Sequence, residues 1–256
     1  MNSETPILHR ALAIGVTTAI VGLLWLYTSQ SSSYLVVDMG EMLTRFREIW
    51  FFERFTSDFV PSIERLAMGY ALAVVFGVAF GLGLGMLPAF RALLMPLVSF
   101  LRAIPPVAML PPAIIILGIG NTMRVFIIAF ICVWPIVLNT ADGVAELDRT
   151  MLSTARAYGL SRWERLRLIV LPATMPRIFA GMRTSLTFAL LLMIISELVA
   201  GTSGIGAFLI SAQQRFQIPD MWAAIILLGL LGIVLNYLFT LMERRVIHWH
   251  IRSGGK

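Results

Sequence analysis

The chain has 256 residues, 58% hydrophobic and 13% charged, with a net charge of +6 and a mean hydropathy of +0.85. Soluble domains carry about 25% charged residues, so a water-soluble globule is excluded and a bilayer is the natural solvent. The one cysteine, Cys132, excludes an intrachain disulfide, and with His9, His248 and His250 it assembles no metal site; the placement of the positive charge, set out below, argues for membrane topology and against nucleic acid as a partner.

In chain order, the first apolar run is Ala11–Tyr27, free of Asp, Glu, Lys and Arg. Its 17 residues are long for a signal sequence, and no small-x-small cleavage site follows in YTSQSSSYLV, so it reads as an uncleaved anchor. Asp38–Glu64 then mixes six acids with three arginines, and its aromatic residues Trp50, Phe51, Phe52, Phe55 and Phe59 suggest a helix lying at the membrane interface.

Leu66–Leu87 is the second span. Gly69, Ala73, Gly77, Gly81 and Gly85 recur every four residues and so share one helix face, which suits either tight packing or a helix that slides during gating. The third span, beginning near Ala92, reads LRAIPPVAMLPPAIIILGIG. Each proline removes an internal hydrogen bond, and broken backbone is tolerated only inside protein or beside a water-filled cavity. Pro105, Pro106, Pro111 and Pro112, four prolines in eight residues, therefore mark a distorted, pathway-lining helix, the alternative being a merely kinked packing helix. Arg102, just before the break, either snorkels to the interface or faces the pathway. The fourth span is Val125–Ala141, containing Asn139, and the fifth begins near Ile178 with Glu197 as its only acid. Rise per residue puts Glu197 about 30 Å along that helix, near the outer boundary, open to a gating role or a structural one. The sixth span is Met221–Met242.

This predicts an all-α polytopic membrane protein of about six transmembrane helices. With both termini in the cytosol, 14 of the 20 Lys and Arg fall on the inner side, as the positive-inside rule requires. The expected organisation is residues 1–61 as anchor and external segment, 62–245 as a core carrying a cytosolic loop 142–177, and 246–256 as a cytosolic tail. Arg102, Pro105, Pro106, Asn139 and Glu197 are the candidate pathway residues.

The loop holds the most specific signal, STARAYGLSRWERLRLIVLP over Ser153–Pro172. A helix over Glu146–Tyr158 is expected to stop at Gly159 in a left-handed conformation. Ser161-Arg162-Trp163-Glu164 has the form of a capping box opening a second helix. There Trp163, Leu166 and Val170 share a face, Arg162 and Arg165 lie elsewhere, and Pro172 closes the unit. Such a helix fits a groove on a partner or packs on its own membrane domain.

The segment resembles the EAA loop of permease subunits of binding-protein-dependent ABC importers, whose pattern runs E-A-A, three residues, G, nine residues, I-x-L-P. Ala155, Gly159, Ile169, Leu171 and Pro172 fall in register, with Ser153 and Thr154 in place of Glu and Ala. LRAIPPVAMLPPAIIILGIG, PIVLNTADGV and SELVAGTSGIG are similar to the nitrate, sulfonate/taurine and bicarbonate branch. The resemblance implies the type I importer permease fold, a coupling helix at Leu160–Leu166, pairing with a second permease copy (a homodimer), two ATPase subunits on the cytosolic side, and a periplasmic or lipid-anchored binding protein for a small, anionic solute. A P-loop needs Gly-x-x-x-x-Gly-Lys-Ser/Thr, but the only lysine is Lys256; no cofactor is expected in this chain, and ATP and Mg would belong to the partner. The competing reading, a secondary transporter or channel with a docking hairpin, would be expected to carry ionisable residues near the midplane.

Overall fold

The computed structural model describes residues 37–248 and Gly15, so the expected first span and the end of the tail lie outside the described residues. Asp38 caps α1 (Met39–Glu48) by accepting the Gly40 N–H at 2.9 Å. Two π-helical turns, Ile49–Glu53 and Phe55–Phe59, lead into α2 (Val60–Met86). Of the aromatic cluster there, Phe51 and Phe52 are exposed. Trp50 instead turns inward, donating its indole N–H to the Ala223 carbonyl at 3.1 Å.

The remaining helices are α3 (Pro88–Ala103), α4 (Leu110–Leu117), α5 (Asn121–Ala145), α6 (Arg149–Ala157), α7 (Arg162–Arg165), α8 (Leu171–Ala200), α9 (Ile205–Gln214) and α10 (Ile218–Val246). No strand occurs among the described residues.

The glycine ladder of α2 seats that helix on α5. A Cβ added at Gly69, Gly77, Gly81 or Gly85 would lie 2.7, 2.8, 2.6 or 2.5 Å from the Cβ of Ile128, Ile136, Thr140 or Val144. The partner of each glycine lies equally far along the chain, so α2 and α5 run parallel. In an apolar medium such backbone contact, with no hydrophobic drive between helices, is what associates them.

Parallel packing settles how the chain threads between them. It leaves α2 at one end and must re-enter α5 at the other, where Asn121 accepts a hydrogen bond from Arg65 at 2.8 Å. The segment between is bent by 95° and makes one net crossing in two pieces. The third span is therefore two helices, beginning at Pro88 rather than near Ala92. Ile104 and Pro105 are extended (ψ 124° and 130°), as expected of a residue before proline. Pro111 and Pro112 fall in the first turn of α4, where no helical N–H is lost, so only Pro105 and Pro106 break the span.

α8 runs antiparallel to α5, with Gly181 against Asn139 and Gly143 against Arg177. α10 returns beside α8, where Arg183 pairs with Glu243. The described residues thus make five crossings: α2, α3 with α4, α5, α8 and α10.

The ladder gives a paired prediction. Gly77→Ala places a methyl 2.8 Å from Ile136 Cβ, whereas Gly83→Ala places one 3.9 Å from the Phe90 ring. Thermal unfolding in detergent is expected to show Gly77→Ala destabilised by about 1–3 kcal/mol and Gly83→Ala unchanged; equal stability of the two would refute the zipper.

Candidate functional site

Three arrangements carry chemistry: the hairpin at one end, a cavity at the break between α3 and α4, and a buried polar cluster at the opposite end.

The hairpin begins where α5 stops at Ala145. Asp148 caps α6, accepting the Thr150 N–H at 2.7 Å, so the first arm starts at Arg149 rather than Glu146. At its end the Gly159 N–H donates to the Arg156 carbonyl (2.9 Å) and the Leu160 N–H to the Ala155 carbonyl (3.1 Å), the two bonds of a Schellman stop. Gly159 has φ +76° and open space where a Cβ would go, so its backbone and not its surroundings calls for glycine. The capping box is present: the Ser161 N–H donates to Glu164 Oε2 at 2.7 Å, and Ser161 Oγ accepts the Glu164 N–H at 3.2 Å.

The second arm departs from expectation. After α7 comes a π-helical turn, Leu166–Val170, and the helix continues without a break through Leu171 and Pro172 into α8. Pro172 therefore opens α8, the fourth crossing among the described residues, and does not close the hairpin. A proline needs no N–H in the first turn of a helix, and the wider turn before it gives the ring room. The extra residue also splits the face expected for Trp163, Leu166 and Val170. Val170 is buried, Leu166 and Ile169 are half-buried, and Trp163 is 68% exposed beside exposed Arg162. Tyr158 and Leu168 are exposed too, Arg165 is half-buried, and Ala155 is buried. Glu146 and Arg177 form a two-bonded pair (2.6 and 2.9 Å) across the hairpin's base, and Arg91 reaches Asp142 at 2.7 Å.

The cavity, about 380 Å³, is lined by Arg102, Ile104, Pro106, Trp134, Asn139 and Phe188, among others. It brings together three of the candidate pathway residues: Arg102, Pro106 and Asn139. Pro105 shapes the break without lining it, and Glu197 is elsewhere.

Glu197 is fully buried (0% exposed) at the opposite end, in a cluster that residue spacing alone does not reveal. Its Oε1 accepts from Arg65 at 2.8 Å and from Ser62 at 2.7 Å, and its Oε2 accepts the Gly206 N–H at 3.0 Å. Arg65 also donates to the Ser203 carbonyl (2.9 Å) and hydroxyl (2.8 Å). Asp58 Oδ1 accepts the Gly204 N–H at 2.7 Å, and Arg124 donates to the Ala200 carbonyl at 2.8 Å. The Gly-rich Gly201–Gly206 loop is thereby held as a turn between α8 and α9, with Gly204 at φ +118°. The signal for this cluster was present: Arg65 and Arg124 each border an apolar run at the same end as Glu197. Among the described residues no group of three His, Cys, Asp or Glu could hold a metal.

Residues 73–248 match the family described as "Binding-protein-dependent transport system inner membrane component". The chain belongs to that family and is a permease subunit of an ABC importer. Among its relatives are the bicarbonate transport system permease protein CmpB of Synechococcus elongatus (33% identical over 73% of this chain and 68% of that one), the nitrate import permease protein NrtB of Leptolyngbya laminosa (33%, covering 73% and 67%) and the taurine transport system permease protein TauC of Escherichia coli (29%, covering 74% and 69%). A chain of the inward-facing MetNI methionine ABC transporter superposes with a TM-score of 0.58 at 20% identity, covering 73% of this chain and 93% of that one, which shows a common fold.

Removing one partner of a buried ion pair strands the other charge, at about 3–5 kcal/mol. Glu197→Leu is therefore expected to lower thermal stability in detergent sharply, and adding Arg65→Met to recover most of the loss. A single variant as stable as the parent would show that the pair does not hold this end together.

Proposed function

We propose that this chain forms half of an ATP-driven import pathway for a small anionic solute and receives its motion through the Ala155–Pro172 hairpin. The observation that carries this is the exposed Trp163–Arg162 end of a helix continuous with α8. A large aromatic held away from its own bundle, on an arm fixed at both caps, suits a groove on a separate polypeptide. ATP and Mg would be bound by two ATPase subunits in contact with Leu160–Leu166 of two copies of this permease. A periplasmic or lipid-anchored binding protein would deliver solute at the Arg65–Glu197 end.

The same reading places the hairpin, residues 142–177 and the tail 246–256 in the cytosol, with both termini on that side. Residues 1–61 would form the anchor and external segment, and 62–245 the permease core. Substrates named for the relatives, bicarbonate, nitrate and taurine, make an oxyanion the first solute to try. ATP-driven closure of the partner subunits would move the hairpins and shift the equilibrium between inward-facing and outward-facing states.

The test is purification of the intact complex followed by uptake into proteoliposomes. A Walker-A-bearing subunit should co-purify, and uptake should require ATP; transport without ATP from a preparation lacking such a subunit would overturn the reading. Gly159→Val forces a β-branched residue into φ +76°. It is expected to cut uptake at least about tenfold, roughly the effect of 1–3 kcal/mol of backbone strain at the stop, by misplacing the second arm. Wild-type uptake with full ATPase association in that variant would argue against coupling at the hairpin.

A further inference from the structure

The cavity at the α3–α4 break has the chemistry of a binding site, and its lining is one-sided. No carboxylate lines it. Arg102 has no acidic partner among the described residues, unlike Arg91, Arg177 and Arg183, each of which is paired. Asn139 spends one amide hydrogen on the Pro135 carbonyl at 2.8 Å and retains the other. The Trp134 indole N–H is buried and has no hydrogen-bond partner. Two donor side chains, one of them charged, thus line a space whose remaining walls, Ile104, Pro106 and Phe188 among them, are apolar.

Position adds to the argument. Trp134 and Asn139 are 13 and 18 residues into α5, about 20 and 27 Å from its start at 1.5 Å per residue. The cavity is therefore at mid-depth along the bundle axis, opening where Arg102 is exposed at the bundle surface, and a lone guanidinium at that depth is costly unless it meets water or an anion. Pro105 and Pro106 hold the backbone open at this level, and neither has an N–H to offer, so recognition falls to the side chains.

We infer that this cavity is a subsite for a small oxyanion within the permease, with Arg102 as the counter-charge, Asn139 as a neutral donor, and the apolar wall accommodating a short organic tail. The planar guanidinium fork matches two oxygens of a nitrate, bicarbonate, carboxylate or sulfonate group. This assignment rests on the importer reading above. A lipid phosphate presents the same chemistry, so the test must separate solute from headgroup.

The first readout needs no transport. Cys132 is fully buried, so a cysteine introduced as Ile104→Cys is the accessible thiol among the described residues. In the purified ATPase-bound complex in a nonionic detergent, it should react faster with a negatively charged methanethiosulfonate than with a positively charged one. Adding Arg102→Gln should abolish that preference, and millimolar taurine, nitrate or bicarbonate should protect the thiol only while Arg102 is present. No charge preference, or protection unaffected by Arg102→Gln, would overturn the subsite. The second readout is ATP-driven uptake of the same three anions in proteoliposomes. Arg102→Gln should lower uptake of the transported anion about tenfold or more, the effect of losing a charge-assisted hydrogen bond, with Arg102→Lys partly restoring it. If the loss appears in vesicles containing anionic lipid and vanishes in purely zwitterionic ones, the guanidinium serves a headgroup and the solute assignment fails. If the unmodified complex takes up none of the three while the thiol is still protected by one of them, the proposed anionic cargo is at fault and the anion site stands.

Discussion

Inside an oily bundle, a buried carboxylate must find every one of its hydrogen bonds within the protein. Glu197 finds them on α2 through Ser62 and Arg65, and on the start of α9 through the Gly206 N–H. Arg65 in turn reaches α5 at Asn121 and the loop at Ser203. Each of these groups would be expensive alone in a low-dielectric interior; together they admit only one arrangement of the ends of α2, α5, α8 and α9. The pair does less for net stability than for uniqueness, because sliding any of these helices by one turn would leave a charge without its partner.

The length of α2 beyond that cluster is organised by absence of side chains on one face. Where Gly81 and Gly85 press on Thr140 and Val144, backbone meets side-chain base and no polar bond is made. The parallel course this imposes on α2 and α5 forces the chain between them to cross back, and the prolines let it do so in two pieces set at 95°. A straight third helix would have filled the space in which Arg102, Trp134 and Asn139 now meet. The cavity follows from the threading.

Much of this was legible in the residues. The Schellman stop at Gly159 and the box at Ser161–Glu164 depend on local bonds between near neighbours, and local bonds are what sequence spacing encodes. The ladder's spacing identified a packing face but not its partner, since the register with α5 is a long-range choice. Rise per residue puts Glu197 near the far end of its helix, as observed, yet its burial is invisible in the sequence because the ion pair joins residues 132 positions apart. The continuity of α7 with α8 was misread for a different reason: Pro172 is a breaker in an α-helix interior, and only the π turn before it turns that position into an acceptable start.

That π turn has a geometric consequence. From Arg162 to Ala200 the chain forms one rod of 39 residues, about 58 Å at 1.5 Å per residue. One additional residue in a turn advances everything beyond it by about 100° around the axis. The compass bearing of Trp163 relative to the buried side of α8 is thus written in a residue count, independent of any contact Trp163 makes. Two permeases of this fold could carry the same hairpin sequence and point it in different directions, according only to how many residues separate the cap from the proline.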